Sequence, residues 1–532
     1  MSDNTTPSTP PTDGLADRAV AEGGAYEVLR KRLTEQGRQL RARAEALNAQ
    51  RLEEFGSSKM EVVGRLRIRT EHNCVARDIV QVGDCLLFGY NVFIGLKKEI
   101  RIEDVFLLYR LIEGPEGYDV TPVDHAASFL GDATFAKEFA ELFAYYKNTR
   151  LLQLVVRDGK LLASFQIGER IEDVRVFRWQ IEGGGGSSSQ AVRYIDNRGE
   201  RDIALPAPYD FEWIRATREL AVNGRFPHLN ILDTVFVETV NGDLTIKIEN
   251  NTEDGLGLYR EPVDDQTQSL DDAQVDFARV GSPGNGIVLL RVLPYREQQW
   301  RYLVYNTLSR KVHRIDAIGQ ACVQLPEDHG IVFPGGYMLQ NGETRTFDQA
   351  VQGMRFKRTI RSPNGEDVLY LFYEPQHGRI ALFVYNMIQR GMQPPVMGHG
   401  YARLDDGRMV IFSAESSEPT RIHPMQVWQT PFAFDDYAQR QPAGNTFMGR
   451  VGNADLVRGI SELLSLSREI DGGDASAQRY QLLTQTTRRL FDQYHWIEDR
   501  HCEGLAPLRR EIVASSEAVL DEYEKVESIR RQ

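Results

Sequence analysis

The chain has 532 residues, 41% of them apolar and 26% charged, with a formal net charge of −13. This is a globular balance with ample material for a core. The acidic surplus weighs against nucleic acid as the main ligand, and the sequence contains no run of eighteen apolar residues to cross a bilayer as a helix.

From the N-terminus, Met1-Ser2-Asp3-Asn4-Thr5-Thr6-Pro7 lacks the basic and apolar regions of a signal peptide, and residues 1–16 read as a disordered tail. Residues 17–58 read as an amphipathic helix. Tyr26, Leu33, Leu40 and Leu47 recur every seven residues, with Leu29 and Ala44 beside them, which keeps one apolar stripe on one face. The stripe suits helix association, either a coiled coil between chains or a helix packed on its own domain. Gly37 interrupts the run.

Residues 59–448 read as one β domain, in which short apolar strands with turn punctuation run to about Phe434, such as Leu152–Val156, Leu161–Phe165, Thr234–Thr239, Leu244–Ile248 and Ile287–Leu293. Arg157-Asp158-Gly159, Asn241-Gly242-Asp243 and Pro283-Gly284-Asn285-Gly286 lie between them and favour tight antiparallel hairpins. A helical insertion is expected near 126–146, with Phe129, Phe135, Phe139, Leu142 and Phe143 on one side. The β region repeats internally. Leu303-Val304-Tyr305-Asn306 matches Phe383-Val384-Tyr385-Asn386, and Val288-Leu289-Leu290 matches Val368-Leu369-Tyr370 at the same offset. Leu325 to Phe333 likewise parallels Leu404 to Phe412. Each repeat holds about two four-stranded blades, so the expected fold is mainly β: a β-propeller of repeated antiparallel blades, with room for seven or so, flanked by helices. A set of β-sandwiches shares the same strand statistics.

Residues 449–532 return to helical periodicity. Leu456, Ile460, Leu463 and Leu464 mark one helix, broken at Asp471-Gly472-Gly473-Asp474. Leu483, Leu490, Phe491 and Tyr494 mark a second, from about Ala475 to Trp496. A third starts near Pro507 and carries Leu508, Ile512, Val519, Tyr523, Val526 and Ile529. It runs to Gln532 without a stop signal, which reads either as a free coiled-coil terminus or as a cut in a longer chain.

Motifs for chemistry are sparse. No Gly-x-x-x-x-Gly-Lys-Ser/Thr string cradles phosphates, and no Gly-x-Ser-x-Gly elbow is present. Gly183 to Ser189 is Gly- and Ser-rich but has no Lys and reads as a hairpin loop. Asn250 to Glu261 has calcium-loop spacing in part, but its first position is not Asp and strands flank it. Asp264-Asp265 and Asp271-Asp272 read as a solvated acidic loop, and His495, His501 and Cys502 are wrongly spaced for one helical face. The four cysteines, Cys74, Cys85, Cys322 and Cys502, form no Cys-x-x-Cys pair and fit a reducing cytoplasm. The chain alone is thus expected to have no catalytic, cofactor or metal residues and neither to bind nor to hydrolyse ATP.

Several strings carry a family resemblance: Thr70-Glu71-His72-Asn73-Cys74-Val75-Ala76-Arg77-Asp78, Phe88-Gly89-Tyr90-Asn91-Val92, Tyr194-Ile195-Asp196-Asn197-Arg198-Gly199-Glu200-Arg201, Val235-Phe236-Val237-Glu238-Thr239, Gly242-Asp243-Leu244-Thr245-Ile246-Lys247 and Ile315-Asp316-Ala317-Ile318-Gly319-Gln320-Ala321-Cys322. Together they resemble the N-terminal region of large bacterial DNA repair ATPases, whose AAA-type ATPase domain lies C-terminal to it. The resemblance implies a non-catalytic interaction or regulatory module, with ATP and magnesium used only by the missing ATPase domain. It also implies protein partners that include that domain, and the helical stripes add self-association into homo-oligomers. Two alternatives are an enzyme with a site in the propeller's central funnel, and a nucleic-acid-binding module. Buried carboxylates or histidines at the funnel would favour the first; a Lys/Arg stripe would favour the second.

Overall fold

The computed structural model describes residues 11–532 except 58, 93–98, 183–190, 204–205, 216–224, 227–234, 241–242, 249–258, 263–273, 282–286, 295, 307–310, 350, 414–415, 473–475 and 503; for 11–22 and for the strands within 225–262 it describes the backbone alone. The expectations for the tail at 1–10, the Gly183–Ser189 loop, most of the Asn250–Glu261 loop, Asp264-Asp265, Asp271-Asp272 and the Pro283–Gly286 turn lie outside the described residues.

Among the described residues the strands fall into seven antiparallel units, here blades I to VII. The 22-residue strand Glu61–Val82 serves two of them. Its Cys74–Val82 part pairs with Cys85–Val92 and begins blade I, which continues through Phe106–Gly114 and Gly117–Pro122. Its Glu61–Arg69 part pairs with Thr420–Gln429 and completes blade VII, which also holds Tyr401–Arg403 and Met409–Phe412. The first strand thereby closes on the last, which protects two edges that would otherwise be open. Blade II is Arg150–Arg157, Lys160–Gln166, Val174–Glu182 and Ala191–Asp196; blade III is Arg225–Phe226, Val235–Val240, Asp243–Ile248 and Tyr259–Pro262. Blade IV is Gln274–Val280, Ile287–Leu293, Arg301–Asn306 and Lys311–Arg314, with Ile214–Arg215 added beside its first strand. Blade V is Val323–Gln324, Gly330–Phe333, Gly336–Leu339 and Thr344–Thr346, and blade VI is Arg355–Arg361, Asp367–Glu374, Arg379–Asn386 and Gly391–Met392.

The blades explain why these strands read as unbroken apolar runs. A strand buried on both faces sends alternate side chains to two different partners. Val368, Tyr370 and Phe372 pack with Val332 and Tyr337 of blade V, whereas Leu369 and Leu371 pack with Met409 and Ile411 of blade VII. In turn Val410 and Phe412 face Phe88 and Tyr90 of blade I. Leu87 on the other face of blade I packs with Leu161 and Phe177 of blade II. The internal repeat is the same strand pair in two blades: Val288 pairs with Tyr305 in blade IV, and Val368 with Tyr385 in blade VI.

Eight α-helices are described: α1 (Pro11–Phe55), α2 (Ile102–Val105), α3 (Ala133–Tyr145), α4 (Asp435–Gln439), α5 (Phe447–Val451), α6 (Asn453–Asp471), α7 (Ala477–Gln493) and α8 (Leu505–Arg531). Helix α1 starts at Pro11, so residues 11–16, expected as tail, are helical. Helix α3 is the expected insertion. Asp132 caps it by accepting the Phe135 N–H at 2.9 Å, and its Phe135, Phe139 and Leu142 fill the core between blades I and II. Helices α4 and α5 follow the last strand, which ends at Gln429.

Tyr26, Leu33, Leu40 and Leu47 are buried, Leu40 completely, in a core shared with Leu456, Ile460 and Leu463 of α6, Leu483 and Leu490 of α7, and Ile512 and Val519 of α8. The coiled-coil reading of this stripe between chains therefore gives way to its alternative, a helix packed on its own chain: α6 and α8 cover the stripe along its length. Gly37 marks the closest crossing, where a Cβ would lie 2.6 Å from Ile470 Cγ2 and Ser467 Oγ donates to the Gly37 carbonyl at 3.1 Å. The glycine that weakens the helix by propensity is what lets α6 approach it.

Candidate functional site

The inner strands of three blades share a local irregularity. Opposite the second strand of each blade, one extra residue bulges out: Arg77 in blade I, Leu152 in blade II and Lys357 in blade VI. Each stands five residues before its hairpin closes, at Val82, Arg157 and Ser362. A bulge bends its strand and re-aims the extra side chain, so the three bulges re-aim equivalent positions of their blades.

Arg77 uses this position to tie blades together. Its Nε donates to the Leu152 carbonyl at 3.2 Å, and its Nη2 to the carbonyl of Pro375 in the turn after the second strand of blade VI. Gly378 leaves it room, since a Cβ there would lie 2.5 Å from Nη1. Burial, with repulsion from Arg150, pulls the Arg77 guanidinium down to about 10, so it stays charged at neutral pH. Asp78 beside it accepts N–H groups from Leu154 at 2.8 Å and Ile79 at 2.9 Å. Burial raises its pKa, against the opposing pull of Lys357 and these two bonds. Gly400 of blade VII, at φ +145°, approaches so closely that a Cβ would stand 2.6 Å from the Asp78 Cα. Arg77 and Asp78 thus pin four blades at one point.

Two cavities lie here, of about 460 and about 940 Å3, and share Gln153, Ile203 and Tyr373 as walls. The larger is lined by the inner strands of blades I, II, VI and VII and by α4. Asp84 at its rim pairs with Arg110 at 3.3 Å, and Asp202 with Arg178 at 3.1 Å and Lys160 at 3.6 Å. The blade VI and VII side is basic and aromatic: Lys357 and Arg358 both stand over the Tyr401 ring, at 5.4 and 5.9 Å, and Arg403 stands over Phe434 at 4.3 Å.

Nucleophilic chemistry finds little support. Cys74 and His423 form the one close thiol–imidazole contact among the described residues, with Sγ and Nε2 3.3 Å apart and Thr70 Oγ1 3.1 Å from Nε2. Both lie in the blade VII–I core at 1% exposure. Burial raises the thiol to about 11 and lowers the imidazole to about 4. A reactive pair needs the opposite shifts, so this contact is structural. No group of three or more metal-binding side chains occurs among the described residues.

A second candidate feature is the joint between helices and propeller. The turn after the third strand of blade VI puts Met387 into the blade V–VI core and Ile388 into the helical core. Its carbonyls accept from Ser461 Oγ at 3.3 Å and Arg468 Nη2 at 3.2 Å, and Arg390 donates to Ser465. Beside it Arg51 of α1, fully buried, meets Glu366 of blade VI at 3.0 Å. This is a charge contact without an aligned hydrogen bond; the aligned bonds of Arg51 go to Asn48 and Asn453, at 3.0 and 2.9 Å.

Sequence reasoning placed the helical stripe and the repeated strands, and quoted Arg77 and Asp78 only as part of a string. It missed Lys357, Arg403, Arg51 and Glu366, and only a bulge-aware alignment of the blades would have brought out Arg77 and Lys357. A family profile described as "ATPase involved in DNA repair" matches residues 39–495. The chain belongs to that family. Among curated proteins none matches it. It is similar to the C-terminal WD40 domain of Sif2 (9% identity over 70% of this chain and 98% of that one, TM-score 0.23), the β-propeller domain of the Trilobed protease from Pyrococcus furiosus (10%, 67% and 95%, 0.19) and the Dos1 propeller (10%, 70% and 96%, 0.18). At these TM-scores the propeller assignment stands on the strand pairing. No described helix is long and apolar enough to cross a membrane.

Proposed function

We propose that this part of the DNA repair ATPase family is a non-catalytic interaction and regulatory module, in which the propeller holds a partner at its central cavity and the helices relay its state to an AAA-type ATPase part. The observation that carries this is the double role of blade VI: its first strand supplies Lys357 and Arg358 to the cavity, and its later turn and Glu366 grip α6 and α1. An element engaged at both ends can bias both sites if its packing has two arrangements. The cytoplasm, where ATP is available, is the expected location.

The test uses the longer family protein with its ATPase part. Replacing the buried pair by apolar residues, Arg51→Met with Glu366→Met, keeps the volume filled while removing the charge contact. The reading expects ATP turnover to change several-fold with the fold intact. Unchanged turnover, in a protein whose helices exchange amide hydrogen faster, would overturn it. The 532-residue chain alone is expected to release no phosphate from Mg-ATP, because it has no phosphate loop.

A further inference from the structure

The blade VI and VII wall of the 940 Å3 cavity gathers three cations, with Asp405 and Asp436 also in the lining. Lys357, Arg358 and Arg403 come together around Tyr401 and Phe434, yet none has a carboxylate within ion-pair distance among the described residues. Arg403 donates through Nη1 to the Phe432 carbonyl at 3.3 Å, and its Nε is buried with no partner among the described residues. Burial and the neighbouring Arg358 both hold the Arg403 pKa below its usual value, against weaker attraction from Asp435 and Asp405. The acids across the cavity are engaged: Asp84 and Asp202 are ion-paired, and Asp78 accepts two backbone N–H groups.

We propose that this wall binds a phosphate group, with Lys357, Arg358 and Arg403 as its ligands. The inference rests on the interaction reading above and names the chemistry of the occupant. Three cations exceed the charge of a single carboxylate and match a dianionic phosphate, and two guanidinium forks beside an ammonium suit its oxygens. The bulge at Lys357 explains its placement: a regular strand would turn this position into the packing between blades. The phosphate can belong to a free inorganic anion or to a phosphate ester, and the wall recognises the group that they share.

The test is calorimetric titration of the full 532-residue chain with inorganic pyrophosphate, with glycerol 3-phosphate to represent an ester and acetate as the carboxylate control. Pyrophosphate is expected to bind with a heat that weakens as salt rises, and acetate is expected to give none. Arg358 is exposed, so Arg358→Gln removes one ligand without disturbing the core, and Lys357→Gln removes a half-buried one. Each should weaken binding about tenfold or more, and the unfolding midpoint of each variant checks that the fold is kept. Absence of binding to the native chain overturns the proposal, as does equal binding by native chain and variants. Binding of the ester as tight as pyrophosphate identifies an ester as the source. A heat from Mg-ATP that disappears in Lys357→Gln would belong to this wall. Failure here leaves the turnover test of the Arg51–Glu366 joint standing, so the two readings fail separately.

Discussion

Gly37 separates two views of the N-terminal helix. In an exposed helix, or one paired loosely with another chain, Gly37→Ala should stabilise by about 1 kcal/mol through helix propensity. Here the new methyl would stand 2.6 Å from Ile470 Cγ2 and 3.0 Å from Ile470 Cβ. The second contact is decisive, because a Cβ cannot rotate away from its own backbone. Either α1 and α6 separate or Ile470 is strained, and overpacking of this kind costs about 1–3 kcal/mol. The Ser467 bond to the Gly37 carbonyl lengthens at the same time. The net expectation is a loss of about 1–2 kcal/mol. Ile470→Ala alone should cost about 2–5 kcal/mol by leaving a cavity, but in the double variant the methyl introduced by Gly37→Ala enters that space. The pair should therefore recover about 1–2 kcal/mol relative to the sum of the singles. Urea unfolding followed by far-UV circular dichroism, with all four proteins in parallel, measures this. A stabilising Gly37→Ala with additive behaviour would refute the packing of α1 on α6.

Other outcomes follow from buried groups and covered faces. Removing one partner of the Arg51–Glu366 pair, as in Glu366→Ala, should cost about 3–5 kcal/mol by stranding a buried charge, while Arg51→Met with Glu366→Met should be near neutral or stabilising in the same unfolding assay. The His423 imidazole, lowered to about 4, takes up a proton less readily folded than unfolded, so its contribution is complete above pH 6.5 and is lost as pH falls through 4. His423→Gln should flatten stability between those limits by on the order of 2 kcal/mol, and equal slopes for both proteins would contradict the burial. Because α6 and α8 cover the heptad stripe, light scattering over a dilution series should show no association that Leu40→Asn abolishes in a still-folded chain.

The parts legible in the sequence were those with local periodicity. The seven-residue stripe located a buried helix face, but a stripe does not say whether its cover comes from the same chain; that depended on α6 and α8, more than 400 residues away. The Tyr305–Asn306 and Tyr385–Asn386 repeat located two equivalent strands. The repeated asparagine was no guide to function: Asn306 donates to the Gln340 carbonyl at 2.9 Å, whereas Asn386 donates to Glu366 at 3.2 Å and supports the joint. The bulges at Arg77 and Lys357 left no pattern to read, because a bulge shows only in the register between two strands. The pairing of Arg51 with Glu366 was illegible for the same reason of distance.

The most direct test of transmission through blade VI is hydrogen exchange on the full chain carrying Lys357→Glu. This change lies in the cavity, on the first strand of the blade. If blade VI relays the state of the cavity, amides of the 386–390 turn and of α6 should change their exchange rates on the order of tenfold, along with the blade itself. If the change stays within the strands beside Lys357, and the 386–390 turn and α6 exchange as in the native chain, the helices do not sense the cavity and the account is wrong.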